Sequence, residues 1–418
     1  MRVFKFGGAS VKSAEAVKNM GSIIQAHDNG PLIIVVSAMG KTTNALERVL
    51  ELREAGKDYQ REWQAVKDYH GNIIQDLFSS DENETFLAIE SLFGHAELIL
   101  RQTFAEQGKA YDQFVPYGEL ISTTIIAGYL RQLQLKAEWI DARRYIKTDS
   151  VFKDAKVRWE VTEELLKLNL PTILKENIVV TQGFVASDLS DNTTTLAREG
   201  SDFSAAIFAH CLNADSVTIW KDVPGILNAD PKRISDTAKF EAISYREAAE
   251  MTFYGASVIH PKTIKPLANK NIPLKVRSFE RPGEKGTVIH LKGSEQPIPC
   301  FMFKDKQALM VIRVKDLSFV QEESLRKIFH ILAEHRIRIN LTQNTAVSVS
   351  VCADWDSVKF QKAKQDLEKD FEMETHTELS LVTVKNPTSN ALKAALANKE
   401  AVLEQRTKSL CQFVVSES

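Results

Sequence analysis

VVTQGFVASDLSDNTTTLAREGSD, residues Val179 to Asp202, decides how the chain is read. The apolar run Ile178-Val179-Val180 is a strand, closed by Gly183, and a polar loop then leads to Thr193-Thr194-Thr195, Arg198 and Gly200-Ser201-Asp202. The alanine-rich segment Phe203 to Leu212 follows as a helix whose first turn is Ser201-Asp202. A small-residue turn at a helix start makes an anion site, because the first backbone N–H groups have no partner inside the helix. Arg198 adds a planar fork suited to a carboxylate. Phosphate beside an amino acid matches both features, although an ordinary capped helix with a surface arginine accounts for this stretch equally well.

Working outward, residues 1–10 (MRVFKFGGAS) form a short strand running into a glycine pair. In a strand Lys5 shares a face with Val3, while Phe4 and Phe6 point the other way. A lysine among apolar strand residues needs an anionic partner, and Gly7 and Gly8 let backbone approach that anion closely, so phosphate is expected. A second strand, Pro31 to Val36, ends in Ser37 to Asn44. Gly40-Lys41-Thr42 is like a P-loop ending, but Val35 stands where that motif requires its first glycine, so a P-loop is rejected. Thr43 and Asn44 stand at the strand's C-terminal end, where open α/β sheets place ligand groups; capping of a helix over Ala45–Leu52 is the alternative. Residues 58–110 read as helical hairpins without chemistry. Glu119 opens an apolar helix over Ile121–Leu133, where dipole and capping alone explain a carboxylate unless a substrate ammonium meets it.

Farther along, a strand over Ser216–Trp220 ends in Lys221-Asp222-Val-Pro-Gly225, and Asn228 to Arg233 again brings cations to a strand's end. With a further strand over Ile272–Arg277, strands alternate with helices through residue 290, which argues for a mainly parallel sheet covered on both faces. The chain's 418 residues suffice for two or three domains. A formal net charge of −2 gives no nucleic-acid footprint, and no apolar run approaches membrane-spanning length. Cys211, Cys300, Cys352 and Cys411 lack metal-ligand or disulfide spacing, and with the start at Met1-Arg2 running straight into a strand, a reducing, cytoplasmic setting is expected.

The pieces Lys5-Phe-Gly-Gly8, Ser37 to Asn44, Gly118-Glu119, Thr181 to Phe184, Thr193 to Asp202, Asp222 to Ile226, Asp230-Pro231 and Gly255 to Pro261 resemble, in order, the motifs of the aspartokinases of the amino acid kinase family. That resemblance implies a three-layer αβα sandwich and ATP-dependent phosphorylation of the side-chain carboxylate of L-aspartate, with Mg2+, as the first step toward lysine, threonine and methionine. Carried over by position, Lys5 and Asp202 resemble the catalytic pair. Lys5, Phe6, Gly7, Gly8 and Ser201 would cradle the phosphates, and Lys221, Asp222, Leu227, Lys232, Arg233, Ser257 and Val258 would take the nucleotide. Arg198 and Glu119 would hold the aspartate carboxylate and ammonium, with Thr43 and Phe184 beside them. An aspartate carboxylate, pKa ~3.9, is already ionised at neutral pH, so no general base is needed. Asp202 beside phosphates is expected to orient Lys5 or the metal.

Four motifs depart from the family pattern, at five residues, and bear on nucleotide affinity. Ala197 stands in place of a glycine and adopts positive φ only at a cost, and Glu199 adds negative charge near phosphate. Ala9 replaces a common threonine, Ser257 a nucleotide-contacting lysine, and Leu227 a frequent tyrosine. They motivate a rival reading, a degenerate kinase acting as an amino-acid-binding regulator, which the retained Lys5 and Asp202 oppose. An amino acid kinase with another substrate is the runner-up among enzymes.

A composition break over residues 292–299 separates an expected catalytic domain, 1–292, from a regulatory region, 299–418. There, strand Ala308–Val314, helix Glu322–His335, strands Arg338–Leu341 and Ala346–Cys352, helix Ser357–Phe371 and strand Glu378–Val384 give βαββαβ, the ferredoxin-like order, and resemble the ACT amino-acid-sensing domain. Leu325, Ile328, Phe329 and Leu332 make the apolar stripe of its first helix. This unit covers about 306–385, and a helix near Ala391–Leu403 with strand Ser409–Val415 forms a shortened second one. Such modules imply a homodimer or higher homo-oligomer and an amino-acid effector site. In lysine-inhibited relatives the segment after the first ACT helix carries two acidic groups; here Asn340 and Ala346 stand in their place, so lysine inhibition is expected to be weak or absent.

Overall fold

The computed structural model describes residues 1–27, 30–78, 84–256, 259–293, 298–316, 318–396 and 399–416. The chain divides into two compact units, one of Met1–Ile226, Lys239–Ala249 and Ile259–Ser294, the other of Leu227–Ala238, Glu250–Val258 and Glu295–Ser418.

The first unit is built on strands β1 (Arg2–Phe6), β2 (Leu32–Val36), β3 (Ala137–Ile140), β4 (Ile178–Gln182), a small β5–β6 hairpin (Val185–Ser187, Thr193–Thr195), β7 (Ser216–Lys221), β8 (Ala242–Ser244), β9 (Leu274–Ser278) and β10 (Thr287–His290). The eight-stranded sheet has the order β3-β4-β2-β1-β7-β9-β10-β8. All pairings but β9 with β10 are parallel. Every residue of β2 is buried, as expected of a central strand covered on both faces. Leu32, Ile34 and Val36, with Phe4 and Phe6, join one core cluster containing Val17, Met20 and Ile24 of helix α1 (Ala14–Gln25). Phe6 stacks on Trp220 with centroids 6.0 Å apart and rings 6° from parallel. Lys5, on the opposite face of β1, meets the helix over Gly200–Cys211.

Between β2 and β3 lie helices α2 (Thr42–Glu54), α3 (Gln60–Leu77), α4 (Glu84–Arg101), α5 (Gln107–Phe114) and α6 (Tyr117–Gln132). Then come α7 (Trp159–Leu174), α8 (Gly200–Cys211), α9 (Tyr245–Phe253) and α10 (Pro261–Asn269). Helix α2 begins earlier than Ala45, so Thr43 and Asn44 sit in its first turn; its N-cap is Lys41, without a side-chain cap.

The second unit carries β11 (Cys300–Val314), α11 (Glu322–Glu334), β12 (Ile339–Asn344), β13 (Ser348–Asp354), α12 (Ser357–Leu367) and β14 (Phe371–Lys385), then α13 (Ser389–Leu396), β15 (Ala401–Arg406) and β16 (Leu410–Ser416). Its sheet order, β12-β13-β11-β14-β16-β15, puts the βαββαβ strands in the ferredoxin-like arrangement and adds two more at the β14 edge. Ala308, Met310 and Ile312 alternate along β11 into a core closed by α11 and α12. Three local expectations are corrected. Phe371 is buried as the first residue of β14 and does not end a helix. The helix expected over Ala391–Leu403 does not reach Ala401, because Ala401–Leu403 pair with β16. In α11, Ile331 takes the buried position and Phe329 turns outward, 36 % exposed. Among the described residues, no helix is long and apolar enough to cross a membrane.

Candidate active site

The strand β4 ends where residue 183 must lie against α8: a Cβ there would come 2.5 Å from the Cβ of Ser201, so only glycine allows this approach. Gly8 is pinned likewise, since a Cβ would come 2.7 Å from the carbonyl oxygen of Gly40. These contacts bring the ends of β1, β2 and β4 and the start of α8 around a cavity of about 590 Å³. Lys5, Ser37, Thr43, Glu47, Tyr111, Glu119, Lys153, Phe184, Arg198, Ser201, Asp202 and Lys221 line it.

One end is a charge cluster. Lys5 Nζ lies 2.6 Å from Asp202 Oδ1, and Lys221 Nζ lies 3.8 Å from Asp202 Oδ2. Lys5 is 8 % exposed and Asp202 3 %. Burial by itself would raise the Asp202 carboxyl, but the Lys5 and Lys221 ammoniums outweigh it and hold it below the ordinary carboxylate range. Asp202 stands in the first turn of α8, where the helix dipole also favours negative charge. Two cations, one fixed carboxylate and a helix N-terminus can receive a polyanion.

The other end carries Glu119, in the first turn of α6 and 3 % exposed. Its Oε1 accepts the Ala38 N–H at 3.2 Å, whereas Oε2 has no hydrogen-bond partner among the described residues. Burial pushes this carboxyl up to about 8, against the opposing pull of the Ala38 N–H and of Lys5. A buried carboxylate oxygen without a donor, aimed into a cavity, is a place for a ligand cation. Arg198 lines the same cavity in a loop where Ala197 and Glu199 have φ of 59° and 57°. The positive φ expected to be costly at Ala197 is therefore adopted. The Glu199 carboxylate, expected to add charge near phosphate, accepts the His260 N–H at 3.0 Å.

Of the residues singled out in the sequence, Lys5, Thr43, Glu119, Phe184, Arg198, Ser201, Asp202 and Lys221 share this cavity. Phe6 is fully buried with its ring against Trp220, which leaves only its backbone near Gly7 and Gly8. Asp222 is exposed just beyond β7. Leu227, Lys232 and Arg233 belong to the second unit, where Arg233 pairs with Asp305 and lies over the Phe303 ring at 4.9 Å. Ser257 and Val258 lie outside the described residues. Sequence reasoning missed Glu47, Tyr111 and Lys153. Glu47 stands one helical turn beyond Thr43, a signal that was present; nothing local marks the other two.

The sequence profile of the amino acid kinase family matches residues 1–278, and the chain belongs to that family. Its relatives include the lysine-sensitive aspartokinase 3 of Escherichia coli (strain K12), 33% identical over 355 residues, 84% of this chain and 78% of that protein. Crystal structures of E. coli aspartokinase III, one in complex with aspartate and ADP (R-state) and one with lysine and aspartate (T-state), match with TM-scores of 0.84 and 0.82. Both are 29% identical and cover 100% of this chain and 96% of the other.

Proposed function

We propose that this chain transfers the terminal phosphoryl group of ATP to the side-chain carboxylate of L-aspartate, giving 4-phospho-L-aspartate, the entry to lysine, threonine and methionine synthesis. The observation that carries this reading is one cavity with a Lys5–Asp202–Lys221 cluster at one end and the unpartnered Glu119 oxygen with Arg198 at the other. A retained, buried Lys5–Asp202 pair also speaks against a degenerate kinase.

In this reading Glu119 takes the substrate ammonium and Arg198 its α-carboxylate, leaving the side-chain carboxylate directed toward Lys5. A carboxylate oxygen attacks the terminal phosphorus, its bond to the bridging oxygen breaks, and ADP departs with the electron pair. Phosphoryl transfer asks mainly for positioning and charge neutralisation. Lys5, locked by Asp202, supplies the latter without a proton transfer. The N-terminus of α8 at Ser201 faces the phosphates, and Lys221 and Asp222 are assigned to the nucleotide by position. Mg2+ neutralises phosphate charge when bound. Asp202, the carboxylate at the charged end of the cavity, is the side chain that would hold it.

The second unit is read as an amino-acid sensor and the active species as a cytoplasmic homodimer. In β12, buried Asn340 donates to Gln307 Oε1 at 2.7 Å and Asp354 Oδ1 at 2.6 Å, and its own oxygen accepts from Lys304 Nζ at 2.7 Å. The chain's own ammonium thus occupies the Asn340 oxygen, which supports weak or absent lysine sensitivity and an effector without a second cation.

Trapping the acyl phosphate with hydroxylamine, using ATP with aspartate, glutamate or N-acetylglutamate, tests the function. Hydroxamate from aspartate alone is expected; turnover only with another acceptor refutes the assignment.

A further inference from the structure

Lys153 lies in the loop before α7 with φ of 68°, a conformation disfavoured for any residue with a Cβ. It is held there from below. Its N–H donates to Asp112 Oδ2 at 3.0 Å, and this fully buried carboxylate is gripped in turn by the Thr195 N–H at 3.0 Å and hydroxyl at 2.7 Å. The side chain reaches back over α5, where its ammonium sits 4.5 Å from the centroid of the Tyr111 ring. The Tyr111 hydroxyl donates to Glu47 at 2.7 Å. Thr43 and Glu47 are successive turns of one face of α2, so Tyr111 and Lys153 belong to the acceptor side of the cavity. Neither Lys153 nor Arg198 forms an ion pair with a described residue, and both line the cavity that holds the unpartnered Glu119 oxygen.

We propose that Lys153 is a second contact for the α-carboxylate of the acceptor, a specificity-determining residue beside Arg198; this rests on the function proposed above. Aspartate brings two carboxylates and one ammonium. With the side-chain carboxylate at Lys5 and the ammonium at Glu119, the α-carboxylate is left to the two unpaired cations. The Tyr111 face supports the Lys153 ammonium without neutralising it, and the backbone fixed by Asp112 keeps it over the cavity.

The test compares the full chain with K153G and K153R, each assayed with aspartate and with aspartic acid α-amide, which keeps the reacting carboxylate but lacks the α-carboxylate. Glycine accommodates φ of 68° without strain, so K153G is expected to melt no lower than the parent chain, which separates loss of the ammonium from loss of fold. In K153G the aspartate KM rises about fivefold, the ATP KM holds, and the KM for the α-amide stays that of the parent. K153R restores the aspartate KM to within about twofold. An unchanged aspartate KM in K153G, or an equal rise for the α-amide, overturns the role of Lys153 while leaving the function standing. A parent chain without aspartate-dependent turnover overturns both.

Discussion

Glu119 makes the affinity for aspartate depend on pH. An acid whose carboxyl is raised from an ordinary 4.5 to about 8 is protonated below that value and ionised above it. At pH 7 about one molecule in ten carries the charged form, so ionising Glu119 to receive the substrate ammonium costs ~1.4 kcal/mol. The aspartate KM is therefore expected to fall about tenfold from pH 6 to 7, less steeply to 8, and to level off beyond it. Glu119→Gln removes the titration. A charge-assisted hydrogen bond is worth about 1.5–3 kcal/mol, of which ~1.4 is already consumed at pH 7. The variant's aspartate KM is then within about tenfold of the parent at pH 7, whereas the gap widens to about 10–150-fold at pH 8.5. Initial rates across pH 6–9 at saturating ATP read this directly. Equal parent KM values at pH 6 and 7.5 would refute the reasoning, because a carboxylate already ionised at pH 6 has no such slope.

Lys5→Ala is expected to lower kcat by about 10²–10³-fold, as for loss of one donor to a transition-state oxyanion, and also to lower the thermal midpoint, because buried Asp202 loses its 2.6 Å partner; near-normal turnover in the folded variant would remove Lys5 from the chemistry. Arg198→Ala should raise the aspartate KM by about 10–150-fold and leave the ATP KM alone, and the reverse pattern would move Arg198 to the nucleotide. Titrating lysine and threonine against activity should show little response to lysine, given that Asn340 is already bound to Lys304, Gln307 and Asp354; strong inhibition by sub-millimolar lysine alone contradicts that reading.

Much of this was legible because the signals were local. Lys5 between Phe4 and Phe6 of a strand, the Gly200-Ser201-Asp202 helix start and Glu119 at a helix N-terminus each announce a charge needing a partner, and the fold brings these residues to one cavity. The helical boundaries that failed are places where tertiary pairing overrides local pattern. Ala401–Leu403 continue an alanine- and leucine-rich run, yet β16 offers them a ladder. Phe329 fits the helical stripe, but the core beneath α11 closes around Ile331 instead. Tyr111 and Lys153 were illegible for a different reason. What makes them site residues is the buried Asp112 linking the loop after Phe152 to β6, a contact spanning 41 residues on one side and 83 on the other.

The strand that carries Lys5 runs between β2 and β7 in the interior of the sheet. During synthesis Phe6 leaves the ribosome well before Trp220, its neighbour across the ladder, which emerges more than two hundred residues later. At roughly 5–20 residues per second, β1 waits on the order of 10–40 s for that flank. For most of that interval Asp202 is also still to come, and Lys221 follows directly on Trp220, so the nascent chain has no Lys5–Asp202–Lys221 cluster to receive phosphate until that flank has arrived.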